Sequence, residues 1–203
     1  MKLFEKSLCL ALILTVLFSF TGFAASCEDI PNRVLRLHVL ANSDSDKDQA
    51  LKLKVRDRVL KVSAGMLDNI TDKSQAEDQV KARLPQIKAA AEDEVKKQGY
   101  RYSVDVELTN MYFTTRQYDT VTLPAGQYDA LRITIGSGRG HNWWCVIFPP
   151  MCLPAAEKPE ELNDVLNRNQ LQIVEGKGDF EVKFLTLEWY EKIKSLVDGE
   201  QAS

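Results

Sequence analysis

Between residues 33 and 70 the apolar side chains change period once, and this switch constrains the fold more than any other feature. RVLRLHVLAN (33–42) alternates. Leu35, Leu37, Val39 and Ala41 share one face, and Val34, Arg36, His38 and Leu40 share the other. A period of two is that of a strand, here with one apolar and one mixed face. After the polar break SDSDKDQ the spacing becomes three and four. Leu51, Val55, Val59, Val62, Met66 and Ile70 form one line, and Leu53, Leu60 and Leu67 form a second. At ~100° per residue the two lines flank one broad apolar arc, so 46–70 is expected to be a helix that is mostly buried. Ser45 followed by Asp48 resembles a capping box at its start. Arg56 projects between the two apolar lines. An unpaired charge there would be strongly unfavourable, so Arg56 requires a fixed partner, most simply a carboxylate or the terminal carbonyls of another element.

The rest of the chain continues the alternation of types. Residues 74–98 form a second helical region, which Pro85 either kinks or divides by starting a new helix. Gly99 is a fitting stop. Tyr102, Val104, Val106 and Leu108 alternate with polar residues as a half-exposed strand. Residues 120–136 read as two strands around the turn Pro124-Ala125-Gly126. GSGRGHN (136–142) is a glycine-rich turn, and WWCVIF (143–148), apolar on both faces, is expected to be a central, covered strand. A polar stretch, 154–180, connects this to a closing helix over 182–197. The order is one strand, two helices, a run of strands and a helix. It implies an α+β fold, a largely antiparallel sheet with helices packed on one face.

The first residues set the compartment. Lys2 and Lys6 precede an apolar run from Leu8 to Phe20, and small residues follow around Ala24 and Ser26. This is the pattern of a secretory signal peptide over 1–26, ahead of a single exported body over 27–203. The rivals are an uncleaved anchor and a lipoprotein signal ending at Cys27. Leu8 to Phe20 as a helix reaches only ~20 Å, short of a ~30 Å hydrocarbon core. The chain carries a formal charge of −3, to which Lys2, Lys6 and Glu5 contribute +1, leaving the body at −4. A mildly acidic body with no basic block lacks the electrostatic footprint of a nucleic-acid binder.

Several chemistries can be weighed by spacing. Asp44, Asp46 and Asp48 open like a calcium loop, but Gln49 and Val55 stand where that loop needs Gly and Glu. The GSGRG loop joins two strands, whereas phosphate cradles lie between a strand and a helix. The chain has two histidines, which leaves no support for a zinc enzyme, and no cofactor motif is present. Cys145 and His141 could form a nucleophile dyad for an envelope hydrolase, yet four residues on a strand separate them by ~13 Å. A bridge between Cys145 and Cys152 requires Pro149-Pro150 to reverse the chain, because disulfides need Cα atoms within roughly 7 Å. Trp143 and Trp144 point to opposite sides of their strand. One or both could be core, and an exposed tryptophan would be a binding hot spot.

RLHVLANSDSDKDQALKLKVRD (36–57) and LPAGQYDALRITIGSGRGHNWWCVIFPPMC (123–152), behind the signal-like segment, resemble the stage II sporulation protein R family. The resemblance implies a secreted signalling protein and not an enzyme. Such a protein passes from the forespore into the space between the forespore and mother-cell membranes. There it triggers a membrane-embedded aspartic protease, stage II sporulation protein GA, which processes the sigma-E precursor. It would have no small-molecule substrate, and would meet the membrane only through its receptor or an uncleaved signal segment. His38, Asn42, Arg56, Asn142, Trp143 and Trp144 are the expected contact set. They lie in the two recognisable stretches and carry polar or aromatic groups that core packing does not demand. A lipid-anchored structural protein, held through Cys27, is a further alternative.

Overall fold

The computed structural model describes residues 27–67, 69–118, 121–149, 166–176 and 187–189, with 4, 6–8, 10–12, 14 and 15 near the N-terminus. Most of the signal-like segment and Cys152 lie outside the described residues, as do most of 154–180 and of 182–197. The described positions from 4 to 15 are helical, and Phe4, Leu8, Leu10, Leu12 and Leu14 are exposed. Among the described residues no helix is long and apolar enough to cross a membrane.

The chain folds into two compact units. The larger comprises Pro31–Tyr112 and Gln127–Leu166. Its elements are β1 (Leu35–Leu40), α1 (Asp46–Leu67), α2 (Lys73–Lys97) and β2 (Val104–Phe113), then β5 (Gly126–Ile135) and β6 (Asn142–Phe148). Two short strands, β3 (Arg116–Tyr118) and β4 (Val121–Leu123), come between β2 and β5 in the chain. The fold is mixed helix and sheet, and the pairing is mostly antiparallel.

The four-stranded sheet has the order β2-β5-β1-β6. β1 runs antiparallel to β6, with Val39 opposite Trp143 and His38 opposite Trp144. It runs parallel to β5, with His38 beside Arg132. All six residues of β1 are buried. One face of the sheet presents Leu35, Leu37, Val39, Leu131, Ile133, Ile135, Cys145 and Ile147. Against it pack Leu51, Val55 and Val59 of α1 and Val80, Ile87, Ala91 and Val95 of α2. Each fully buried aliphatic side chain contributes ~1.5–3 kcal/mol of transfer free energy, which makes this layer the main source of cohesion in the unit.

Two expectations change here, and one open alternative is decided. WWCVIF is not central: β6 is at an end of the sheet, and β1 and β5 occupy its middle. Its apolar character has a different cause, since its odd positions meet the helices while Trp144 stacks on the opposite face. Pro85 does not divide the second helix, because α2 runs unbroken through it. Leu53, assigned to the buried arc, is exposed, so the apolar line of α1 is narrower than the sequence implies.

The smaller unit, Met1–Ile30, Phe113–Gly126 and Asn167–Ser203, holds the antiparallel pair β3–β4 and a helix α3 (Arg168–Glu175) that packs on β4. α3 falls inside the stretch expected to be a polar connection. Its signal is a capping box: the Asn167 side chain accepts from the Gln170 N–H, and the Gln170 side chain accepts from the Asn167 N–H. Gln170 also donates to Asp29 at 2.8 Å, and Glu188 accepts the Thr115 N–H at 2.8 Å.

The glycine-rich turn is shaped by close approach to the segment after β1. Gly136 has φ +59°, and a Cβ there would collide with the Asn42 side chain. Gly140 donates its N–H to the Ala41 carbonyl at 2.9 Å, and a Cβ on it would overlap the Ser43 backbone carbonyl. That carbonyl cannot move aside as a flexible side chain would. We expect Gly140→Ala to lower the stability by about 1–3 kcal/mol, read as a lower urea midpoint at unchanged slope.

Candidate functional site

The two recognisable stretches of sequence meet at one end of the sheet, where β1 exits into α1 and the 136–141 turn enters β6. The site begins with a buried carboxylate. Asp48, in the first turn of α1, accepts from Asn42 Nδ2 at 2.9 Å and from the Ser43 hydroxyl at 2.5 Å. It also accepts from the Tyr102 hydroxyl. The Ser43 bond is the largest cause holding its carboxyl below the ordinary range. Burial opposes, and Asn42 and Tyr102 add to the lowering. Burial, and then the bond to Asp48, raise the Tyr102 phenol in turn. Ser45 Oγ does accept the Asp48 N–H at 3.2 Å, but the Asp48 side chain turns to Asn42 and Ser43.

Asn42 carries this network across to the glycine-rich turn. Its Oδ1 accepts from the Ser137 N–H at 3.0 Å, and its carbonyl accepts from the Ser137 hydroxyl at 2.6 Å. Further along the turn, Asp44 Oδ1 accepts the His141 backbone N–H at 2.5 Å, and the His141 ring Nδ1 lies on the same oxygen. The backbone bond from His141 is the largest cause lowering the Asp44 pKa. On the other side, Lys52 donates to the His141 carbonyl at 2.8 Å and to Gln49 Oε1 at 2.6 Å. Lys52 is buried. Burial lowers its pKa first, the Arg56 charge lowers it further, and Asp44 opposes both.

One turn beyond Lys52, the Arg56 guanidinium lies over the Trp143 ring, 4.1 Å from its centroid. Arg56 is also held by Asp57 through Nε at 2.8 Å and through its terminal nitrogen at 2.6 Å. A cation over an indole contributes ~0.5–2 kcal/mol, more as the pair loses water. The Trp143 indole N–H is buried and has no hydrogen-bond partner among the described residues. On the opposite face, His38 stacks on Trp144, with centroids 3.8 Å apart and the planes at 7°. Both tryptophans are half-buried, and Asn142 before them is exposed.

The six residues expected as a contact set therefore take different positions. Arg56 and Trp143 form one pair, and His38 and Trp144 form another. Asn142 is at the exposed start of β6. Asn42 is a latch between two loops, with its polar atoms engaged internally. Sequence reasoning missed Lys52, Asp44 and Asp48 as parts of the site. Lys52 carried a usable signal: it is a charged residue beside the apolar line, one helical turn before Arg56. Asp44 and Asp48 read in the sequence only as the opening of an incomplete calcium loop and, for Asp48, as a capping residue at the helix start.

The rival chemistries fare differently. Cys145 is buried and disulfide-bonded. Its sulfur is thereby committed, and His141 turns to Asp44, so the two do not form a nucleophile dyad. Cys27 is a free thiol, so it is not the other half of that bridge. Cys152, the expected partner, lies outside the described residues. Burial pushes the Cys27 thiol up to about 12, which keeps it protonated and unreactive. Among the described residues no cluster of His, Cys, Asp or Glu could hold a metal ion.

Residues 31–158 match the family model for stage II sporulation protein R. A relative from Bacillus subtilis (strain 168), also named stage II sporulation protein R, is 35% identical over 181 residues. The match covers 79% of this chain and 81% of the relative. No solved structure matches.

The Asp48 network makes a pH prediction. A carboxyl whose folded pKa is depressed stabilises above its unfolded value near ~3.9, and loses that contribution as pH falls through the folded value. Asp48→Asn should cost about 1–2 kcal/mol at neutral pH, since it weakens charge-assisted bonds to Ser43, Asn42 and Tyr102. The gap between variant and parent should close as denaturation is repeated below about pH 4.

Proposed function

The chain belongs to the stage II sporulation protein R family, and on that premise we propose that it is an exported signal that activates a protease by binding it. A role in sporulation follows from the family, whose name is not that of an enzyme family. The finer reading is that the body acts in the space between the forespore and mother-cell membranes. There it engages the membrane-embedded aspartic protease that processes the sigma-E precursor.

The observation that carries this reading is the tryptophan end of β6. Two adjacent tryptophans stand on opposite faces of a strand at the end of the sheet, each backed by a cationic or ionisable side chain. Half-buried Trp and Arg are the residue types that dominate binding energy at interfaces. Export is supported by the signal-like N-terminus, whose described apolar side chains are exposed, and by the disulfide at Cys145, which favours an oxidising compartment. The burial of Cys27 weighs against the lipid-anchored alternative. Activation needs only differential affinity. A ~100-fold preference for the active state of the protease supplies about 2.7 kcal/mol of shift.

Reconstitution tests the reading: exported protein is added to membranes holding the protease and the precursor, and precursor cleavage is followed. Cleavage that does not depend on the added protein would refute it. In sporulating cells, Trp143→Ala and Arg56→Ala should reduce processing by about tenfold or more at equal levels of exported protein, as truncation of interface anchors does. The intact mass of the exported protein should lack Met1 to Phe20; retention of that segment would favour the anchor.

A further inference from the structure

We propose that Asp44 and Lys52 are positioning residues for the recognition surface: by gripping His141 from both sides they set Trp143 against Arg56. The proposal rests on the reading of the β6 end as the binding surface. It extends that reading to two residues outside the Arg56–Trp143 and His38–Trp144 pairs.

The geometry is specific. The peptide groups on either side of the His141 Cα are held by side chains far away in sequence. Its N–H is taken by Asp44 and its carbonyl by Lys52. These are charge-assisted bonds, the stronger kind, and they fix both the position and the rotation of the residue. Asn142 and Trp143 follow directly, so little slack separates the grip from the indole. The two holders also converge on the other half of the pair. Lys52 precedes Arg56 by about one turn of the same helix, which gives the two side chains a common face. One helix therefore carries both the residue that anchors the turn and the residue that covers the indole. Arg56 itself is tethered by Asp57, so the pair is assembled from two restrained partners. A surface ordered before binding loses less entropy when it binds, and this is how residues outside an interface can govern affinity.

A purely architectural role would stabilise the turn without setting Trp143. The architecture is already supplied nearby by the Asn42–Ser137 bonds and the Gly140–Ala41 bond, which Asp44 and Lys52 do not share. Loss of either grip should therefore leave the fold standing and loosen Trp143.

The test uses the full chain with Lys52→Met, Lys52→Arg and Asp44→Ala. Trp143 is made the sole tryptophan by Trp144→Phe and Trp189→Phe for fluorescence only. Acrylamide quenching of Trp143 should rise in Lys52→Met and Asp44→Ala, with the unfolding midpoint in urea retained. Lys52→Arg, which keeps a cationic donor, should stay near the parent. In the reconstituted protease assay with native tryptophans, the concentration for half-maximal activation should rise about tenfold for Lys52→Met, with the maximum unchanged and rescue by Lys52→Arg. Parental quenching in both disrupting variants would overturn the proposal, as would an activation loss that only follows the folded fraction. If Lys52→Met does not fold, Asp44→Ala at an exposed carboxylate decides between the same outcomes. If the parent activates no protease, the functional reading fails by itself, and quenching alone decides the grip.

Discussion

Everything in the larger unit depends on β1 having two hydrogen-bonded neighbours at once. A strand of six residues pairs in parallel with β5 and antiparallel with β6, partners about 90 to 110 positions further along the chain. The antiparallel partner can follow β5 through a short turn, whereas the parallel one needs a long crossover. α1 and α2 lie within that crossover, and they cover the face that carries Leu35, Leu37 and Val39. The register then has no freedom. A slip of one residue would turn Arg36 and His38 into the helix layer and the leucines out of it.

The same strand explains the polar density at its end. Where β1 stops, the chain must turn into α1 while the β5–β6 turn crosses close by. Buried backbone and side-chain polar groups at such a crossing need partners, since each unsatisfied one costs ~1–3 kcal/mol. Asp48, Asn42, Ser43 and Ser137 meet that need in one connected network. Glycines at 136 and 140 let the two loops come within contact. The tryptophans begin where this network ends, so a rigid polar base adjoins an aromatic edge. Rigid anchors beside a satisfied polar rim are what an interface requires if binding energy is not to be spent on ordering the surface.

The disulfide and the histidine pairings define the chemistry as well as the shape. With Cys145 committed to a bridge and His141 on Asp44, the residues that could have formed a nucleophilic site serve to hold β6. Arg56 illustrates how a charge placed among apolar residues is accommodated. It is neither buried alone nor free in water, but lies over an indole with its nitrogens on Asp57. This leaves the aliphatic stem of the arginine to cover apolar surface.

Local periodicity determined the elements themselves: the alternation at 33–42, the helical lines after 46, and the type of fold they imply. These features are legible because each residue's side of a strand or helix depends only on its neighbours in the chain. The two recognisable stretches also carried the family and the residues around Trp143 and Arg56. What tertiary structure alone decided was adjacency. Sequence could not place β6 at the end of the sheet, because an apolar strand reads the same whether a strand or a helix covers it. It could not show that Arg56 meets Trp143, that His38 stacks on Trp144, or that Lys52 and Asp44 close on His141. Those pairs span about 87 to 106 residues, and nothing in local spacing encodes which distant segments fold together. The parallel β1–β5 pairing and the crossing of two loops fix these contacts, through backbone hydrogen bonds whose partners only the folded chain brings into reach.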